Sequence, residues 1–140
     1  LSNQLSKWKI IYLILNLYNI SSFLFAKSIN LLPYVPLAPL MIWVMGLEDA
    51  KAGRMPTKAE HAEMRRLFEE SLDAGGCGWS AQRLMPTGPS AVQVDYDGTP
   101  MVTDVMHDET CEMFARILGE RNQGFMQMLK NRENKSIFLS

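Results

Sequence analysis

The chain of 140 residues carries 14 Lys and Arg against 15 Asp and Glu, a formal net charge of -1. This length suits one domain or part of one, and it is too short for a complete β/α-barrel enzyme of roughly 250 residues. The balanced charge excludes the basic surface of a nucleic-acid-binding protein, so no nucleic-acid partner is expected. Cys77 and Cys111 lack the paired spacing of a zinc knuckle or a disulfide framework, and we expect reduced, half-buried thiols.

Both ends of the chain differ in composition from the middle. No acidic residue precedes Glu48, and the Asn, Ser, Lys, Ile and Phe residues that dominate residues 1–29 return in residues 130–140. We expect both ends to be atypical, non-native sequence around a partial β/α barrel at residues 30–129, in a cytoplasmic protein. The alternative is membrane association through a helix from Ile10 to Ala26, although this run is short and contains Asn and Ser, whereas a span needs about 20 apolar residues.

Residues 31–46 form an apolar run that three prolines interrupt. Because proline lacks a backbone donor, only the part after Pro39 can be uninterrupted, and it is either a buried strand end or the first turns of a short helix. Residues 48–56, EDAKAGRMP, indicate a polar loop. Thr57 and Glu60 then have the spacing of a capping box, which predicts that a helix begins there.

The helix after Thr57 has one apolar stripe and a glycine stop. Apolar side chains recur at the spacing of a buried helix face, at Met64, Leu67, Phe68 and Leu72. Ala74 and Gly75 are expected to end the helix, since glycine accepts the left-handed conformation that follows a helix end. The small residues of GCGWS, at 76–80, predict a tightly packed strand.

Residues 81–104 are rich in Pro and Gly and predict a long loop. A second helix is expected from about Val105 to Arg121, ended by Asn122 and Gly124. Its predicted buried face contains Cys111, Phe114, Ala115 and Leu118. A second strand is expected from Phe125. This alternation predicts an α/β fold, a fragment of a TIM-type barrel with about two β/α units.

Few residues in this sequence have the pattern of a reactive site. Ser80 matches only the first half of the G-x-S-x-G elbow and is interpreted as a strand-end cap, and Cys77 follows a helix C-terminus, which disfavours a thiolate. One set has the spacing of metal ligands on one helix face: Asp104, His107, Asp108 and Cys111. We favour its alternative role as a helix N-terminal cap with acidic groups near the positive dipole end. His61 is expected to be exposed, and neither a catalytic residue nor a metal site is predicted.

From about Asn30 to Met128 the chain resembles the amidohydrolase superfamily, in its branch of N-acyl-D-amino-acid deacylases. The residues that carry the resemblance are Arg54, Pro56, Thr57, Glu60, Met64, Leu72, Ala74, Gly75, Gly78 and Ser80. The resemblance implies a metal-dependent hydrolase with zinc in the full-length enzyme and a small-molecule amide as substrate. Where the family has histidine or arginine, this chain has Leu37, Met41 and Gln127 or Met128, so we expect it to hold no zinc and to be inactive alone.

Three residues are predicted to contact substrate at the carboxyl end of the first strand, namely Ser80, Gln82 and Arg83. Arg83 would pair with a substrate carboxylate through its guanidinium or, alternatively, with the loop residues Asp95 or Asp97. We expect the chain to be a fragment of an amidohydrolase that cleaves non-peptide C–N bonds of N-acyl amino acids. The alternative is a non-catalytic small interaction protein, tethered to a membrane through residues 10–26.

Overall fold

The computed structural model describes residues 32–84 and 94–130, and its helices and strands belong to one compact unit that begins at Tyr34. In chain order these elements are α1 (Leu37–Met45), α2 (Leu47–Lys51), α3 (Lys58–Asp73), β1 (Gly78–Arg83), α4 (Asp108–Arg121) and β2 (Phe125–Lys130). The predictions for residues 1–29 and 131–140 fall outside the described part. Among the described helices, none has the length and apolar character that a membrane span requires.

The two strands pair in parallel, with Gly78 opposite Phe125 and Arg83 opposite Lys130. Val35 extends this arrangement by a parallel bridge to Trp79, and its N–H donates to the Gly78 carbonyl at 2.8 Å. Parallel neighbours require a crossover connection, which the helices between them supply. The predicted α/β class and both predicted strands are therefore confirmed.

The region before α3 is more helical than the sequence predicts. α1 begins at Leu37, ahead of Pro39, because a proline in the first helical turn costs no intrahelical hydrogen bond. The predicted polar loop at 48–56 contains most of α2, so that prediction is wrong. Glu48 lies in the first turn of α2 and Lys51 in its last, as the helix dipole favours.

The start and the stop of α3 are confirmed. The Glu60 N–H donates to Thr57 Oγ1 at 3.2 Å, and the Thr57 N–H donates to Glu60 Oε2 at 2.7 Å, which completes the capping box. The helix ends before Gly75, which has a φ of 108°. The predicted stripe is buried: Met64, Leu67, Phe68 and Leu72.

α4 begins at Asp108, later than the predicted Val105, because the preceding residues form a turn in which the Asp104 N–H donates to the Met101 carbonyl at 2.9 Å. Asn122 ends the helix in the left-handed conformation, with a φ of 47°, as predicted. The buried residues of α4 are Thr110, Cys111, Phe114, Ile117 and Leu118, so Ile117 takes the place predicted for Ala115.

Within the described residues, helices cover one face of the sheet and leave the other face bare. α1 packs against β1, α3 packs against α1 and α4, and Cys111 of α4 contacts Met128 of β2. Every second side chain of β1 lies on the covered face, and all three are buried: Trp79, Ala81 and Arg83. The bare face carries Ser80, Gln82, Phe125, Gln127 and Leu129.

Candidate functional site

Arg83 lies at the carboxyl end of β1, where it is buried and holds the entry to α4. Its Nε–H donates to the Met106 carbonyl at 3.0 Å, and its Nη2 pairs with the Asp108 carboxylate. The residue is 1% exposed, whereas the Asp108 side chain is 51% exposed. The loop carboxylates that were the alternative partners, Asp95 and Asp97, instead contact Lys51.

The structure does not bring the three predicted substrate-contacting residues together on one face. Ser80 and Gln82 belong to the bare face, while Arg83 belongs to the face covered by helices. Ser80 is exposed, whereas Gln82 is half-buried and its amide reaches Asp104. The predicted positions therefore divide between the bare sheet face and the interior of the unit.

Asp104 is a buried carboxylate whose role the sequence did not indicate. It is 0% exposed, its Oδ1 accepts the Leu84 N–H at 2.8 Å, and its Oδ2 accepts the Gln82 side-chain amide at 3.5 Å. The N-terminal role predicted for the set Asp104, His107, Asp108 and Cys111 is confirmed in part, since His107 is the N-cap residue and Asp108 lies in the first turn of α4. Asp104 precedes the helix, and the His107 side chain makes no capping hydrogen bond. Asp104 instead satisfies the backbone just beyond β1.

A cleft of about 270 Å³ opens beside Arg83, a little smaller than typical small-molecule sites. Ala52 and Gly53 form one wall, and residues 105–108 form the other. The walls are tied together, since the His107 Nε2–H donates to the Gly53 carbonyl at 2.8 Å. A Cβ on Gly53 would lie 3.1 Å from the Val105 Cβ, so the two walls also lie close together at this point.

Lys51 forms ion pairs with the acidic residues of the turn that precedes the second wall of the cleft. Its Nζ lies 3.1 Å from Asp95 Oδ2, pairs with Asp97, and donates to Thr99 Oγ1 at 3.0 Å. The hydrogen bond to Asp97 raises the pKa of Lys51, and the hydrogen bond from Lys51 is the main cause of the lowered pKa of Asp97. The Lys51 ammonium group therefore keeps its positive charge.

The zinc that the family resemblance implies does not fit the described residues. Across residues 32–84 and 94–130, no group of three or more His, Cys, Asp or Glu side chains could hold a metal ion. Cys111 is buried, and desolvation raises its pKa to about 11, which disfavours the thiolate that a metal needs. His61 is half-buried, not exposed as predicted, and its Nε2 is hydrogen-bonded to Thr110 Oγ1 at 2.9 Å.

Several residues that carry the resemblance form one structural network at the start of α3. The Arg54 guanidinium donates to both Glu60 carboxylate oxygens, at 2.7 and 3.1 Å, and to Asp49 at 2.8 Å. The bond from Arg54 is the main cause that lowers the pKa of Glu60 to about 2. Together with Thr57 this network fixes the path of the chain into the helix that leads to β1.

The cleft is lined by the buried Arg83 guanidinium, the His107 imidazole, the Asp108 carboxylate and backbone groups, and among the described residues its lining contains no Ser, Thr, Cys or Lys side chain. Asp104, Asp108 and Lys51 have partners far along the chain, so no local sequence pattern indicates these pairings. No protein-family model, no curated protein and no solved structure matches this chain.

Proposed function

We propose that the chain is part of a metal-dependent amidohydrolase that cleaves non-peptide C–N bonds of N-acyl amino acids. The observation that carries the proposal is the run from Arg54 to Ser80, whose residues resemble the deacylase branch. In the structure this run forms a capped helix followed by a parallel strand, which is the unit from which β/α barrels are built. The resemblance and the local fold therefore support the same class of protein.

The order of the parallel segments supports a barrel origin. Val35, β1 and β2 are neighbours in the same order as in the chain, as successive strands are in a β/α barrel. Purely parallel sheets are normally buried on both faces, and here one face carries exposed Ser80, Phe125 and Leu129. In the proposed barrel this bare face is the inner side, which the remaining strands would cover.

The carboxyl ends of the strands are where barrel enzymes bind substrate, and Arg83 occupies that position in β1. Its guanidinium lines the cleft beside the half-exposed carboxylate of Asp108. In the proposed function a substrate carboxylate enters the cleft and takes part of the pairing that Asp108 now provides.

The hydrolytic step itself is not assigned to this chain. Zinc would polarise the amide carbonyl and activate water, but three or four protein ligands are needed to hold it and the described residues do not supply them. The ligands would come from segments encoded on either side. We therefore expect the chain alone neither to retain zinc on dialysis nor to hydrolyse an N-acyl amino acid.

The test begins with the reading frame and continues with kinetics. The in-frame extension should encode an H-x-H segment upstream, and the extended protein loaded with zinc should hydrolyse N-acyl amino acids. Arg83→Lys should raise the KM for a carboxylate-bearing substrate by roughly tenfold and leave a neutral amide analogue unaffected, because Lys cannot form the two-pronged contact. Arg66→Lys, on the outside of α3, is the matched control.

Two results would overturn the proposal: an extended frame without an H-x-H segment, and an extended protein without amide hydrolysis. Equal losses on both substrates would leave the hydrolase role in place and assign Arg83 to structure alone.

A second candidate function is a non-catalytic interaction protein, which the exposed apolar side chains of the bare face favour. Phe125 and Leu129 are 50% and 62% exposed, and the Tyr34 ring lies against Phe125 with centroids 5.4 Å apart. The same extension experiment separates the two candidates, because this function needs no metal-binding segment upstream.

A further inference from the structure

The turn between Val94 and Pro100 directs several side chains at one lysine. We call the group of Lys51, Asp95, Asp97 and Thr99 the Lys51 latch. Both carboxylates pair with the Lys51 ammonium, the Thr99 hydroxyl accepts from it at 3.0 Å, and the Tyr96 ring centroid lies 5.5 Å away. Most of the lysine side chain is covered, since it is 13% exposed.

The turn is held in shape by bonds of its own. Val94 and Pro100 form an antiparallel bridge, and the Asp95 N–H donates to the Thr99 carbonyl at 2.8 Å. Asp97 Oδ1 accepts both the Thr99 N–H and the Thr99 hydroxyl, at 3.0 and 2.6 Å. These bonds leave Oδ2 of Asp95 and of Asp97 directed at Lys51, so the turn presents a preformed site for an ammonium group.

The latch joins the segments that form the two walls of the cleft. Lys51 is followed directly by Ala52 and Gly53 of the first wall, and Pro100 is followed by the short stretch that ends in residues 105–108 of the second wall. Among the described residues, the His107–Gly53 hydrogen bond also joins these walls. Separation of Lys51 from the turn would leave that bond and the close approach of Gly53 to Val105 between the walls, while Arg83 would still hold Met106 and Asp108 of the second wall.

We propose that the Lys51 latch is a conformational device that keeps the cleft narrow, and that its release loosens the stretch from Pro100 to Val105 and widens the cleft, while Arg83 continues to hold Met106 and Asp108. Its contacts are ionic and lie at the surface, where each pair contributes little and salt screens it. A closure held in this way opens locally at far lower cost than global unfolding. Neutralising Lys51 therefore shifts the cleft toward its wider form without unfolding the core.

Amide hydrogen exchange, measured by mass spectrometry on the whole chain, tests the latch. Lys51→Met should speed exchange in residues 101–107 by roughly fivefold and leave residues 64–72 of α3 unchanged, as expected for the loss of a partly screened ion-pair network. Lys51→Arg keeps the charge and should stay within about twofold of the parent. Arg66→Met, which removes the ion pairs with Glu63 and Glu70 on α3, is the matched control and should not change residues 101–107.

Asp97→Asn tests the same device from the side of the turn and should reproduce the effect of Lys51→Met, even if the lysine variant folds poorly. Raising the salt concentration should speed exchange of residues 101–107 in the parent and have no such effect in Lys51→Met. Unchanged exchange in Asp97→Asn, or equal acceleration in α3 and in residues 101–107, would overturn the proposal. The readout involves no substrate, so the outcome is independent of the proposed hydrolase function.

Discussion

Asp104 fixes the end of β1 through both of its carboxylate oxygens. Within the described residues the strand pairing of β1 ends at Arg83, and Asp104 Oδ1 accepts the N–H of the next residue, Leu84, at 2.8 Å. A carboxylate that is 0% exposed loses much of its hydration, so these hydrogen bonds must compensate for burial. The stability of this strand end therefore depends on a side chain from the opposite side of the cleft.

Asp104→Ala should lower the free energy of unfolding by about 1–3 kcal/mol, because the half-buried Leu84 N–H loses its acceptor. Urea denaturation followed by circular dichroism measures the change. Asp73→Ala is the matched control, since the Asp73 side chain is 63% exposed and pairs with Arg121 at the surface, and it should stay within about 0.5 kcal/mol. Equal effects of the two substitutions would contradict the role given to Asp104.

The ion pairs around the cleft could not be predicted from the sequence. Arg83 pairs with a carboxylate 25 positions away, and Lys51 with one 46 positions away. No periodicity or motif encodes such separations, because these pairs exist only after the chain has folded back on itself. The sequence could identify Arg83 as a candidate, but it indicated the wrong alternative partners and gave no reason to consider Lys51.

The helices and strands were predictable where their signals lie within a few residues. The Thr57–Glu60 capping box and the left-handed Asn122 are short-range features, and both helix ends are confirmed. Pro39 misled the prediction of α1, since its effect depends on whether it lies in the first turn or deeper in a helix. The turn at 102–105, which delays the start of α4, has no comparable local signal.

Gly78 is the residue on which the pairing of β1 with β2 depends most directly. A Cβ at this position would lie 1.8 Å from the Phe125 carbonyl oxygen, and its φ of 130° is one that other residues rarely adopt. The neighbouring strand can approach only because a side chain is absent.

Gly78→Ala should lower the free energy of unfolding by more than about 2 kcal/mol. Alanine would be strained at the φ of Gly78, and its Cβ would clash with the backbone of Phe125, which cannot rotate away as a side chain could. Gly119→Ala gives the opposite expectation, since Gly119 lies within α4 with open space around it, and alanine should stabilise the helix by about 0.5–1 kcal/mol. Thermal unfolding of the two variants beside the parent is the measurement. A Gly78→Ala protein as stable as the parent would show that β2 is not held at this distance.

The unit as a whole is held together by the core between α3 and α4. Phe68 and Phe114 meet edge to face with ring centroids 5.1 Å apart, and both are 0% exposed. Edge-to-face rings add a specific attraction to the burial of their apolar surface. This contact joins the helix that precedes β1 to the helix that precedes β2.

Phe114→Ala should lower the free energy of unfolding by about 3–5 kcal/mol through lost burial and the cavity left behind. Phe125→Ala removes the same side chain from the bare sheet face, where it is 50% exposed, and should cost about 1 kcal/mol or less. Chemical denaturation of both variants decides the comparison. A loss at Phe125 as large as that at Phe114 would mean that the bare face is buried in solution.

The parallel order of Val35, β1 and β2 also determines the sequence of events as the chain folds. α3 and α4 need only contacts within one or two helical turns, which form in about a microsecond. Every sheet contact waits for the closure of a long segment, and the hydrogen bond between Tyr34 and Gln127 spans 93 positions. During synthesis β1 is therefore complete while its neighbour β2 is still absent, and until α4 has followed, the edge that β2 will cover is open to any other extended chain.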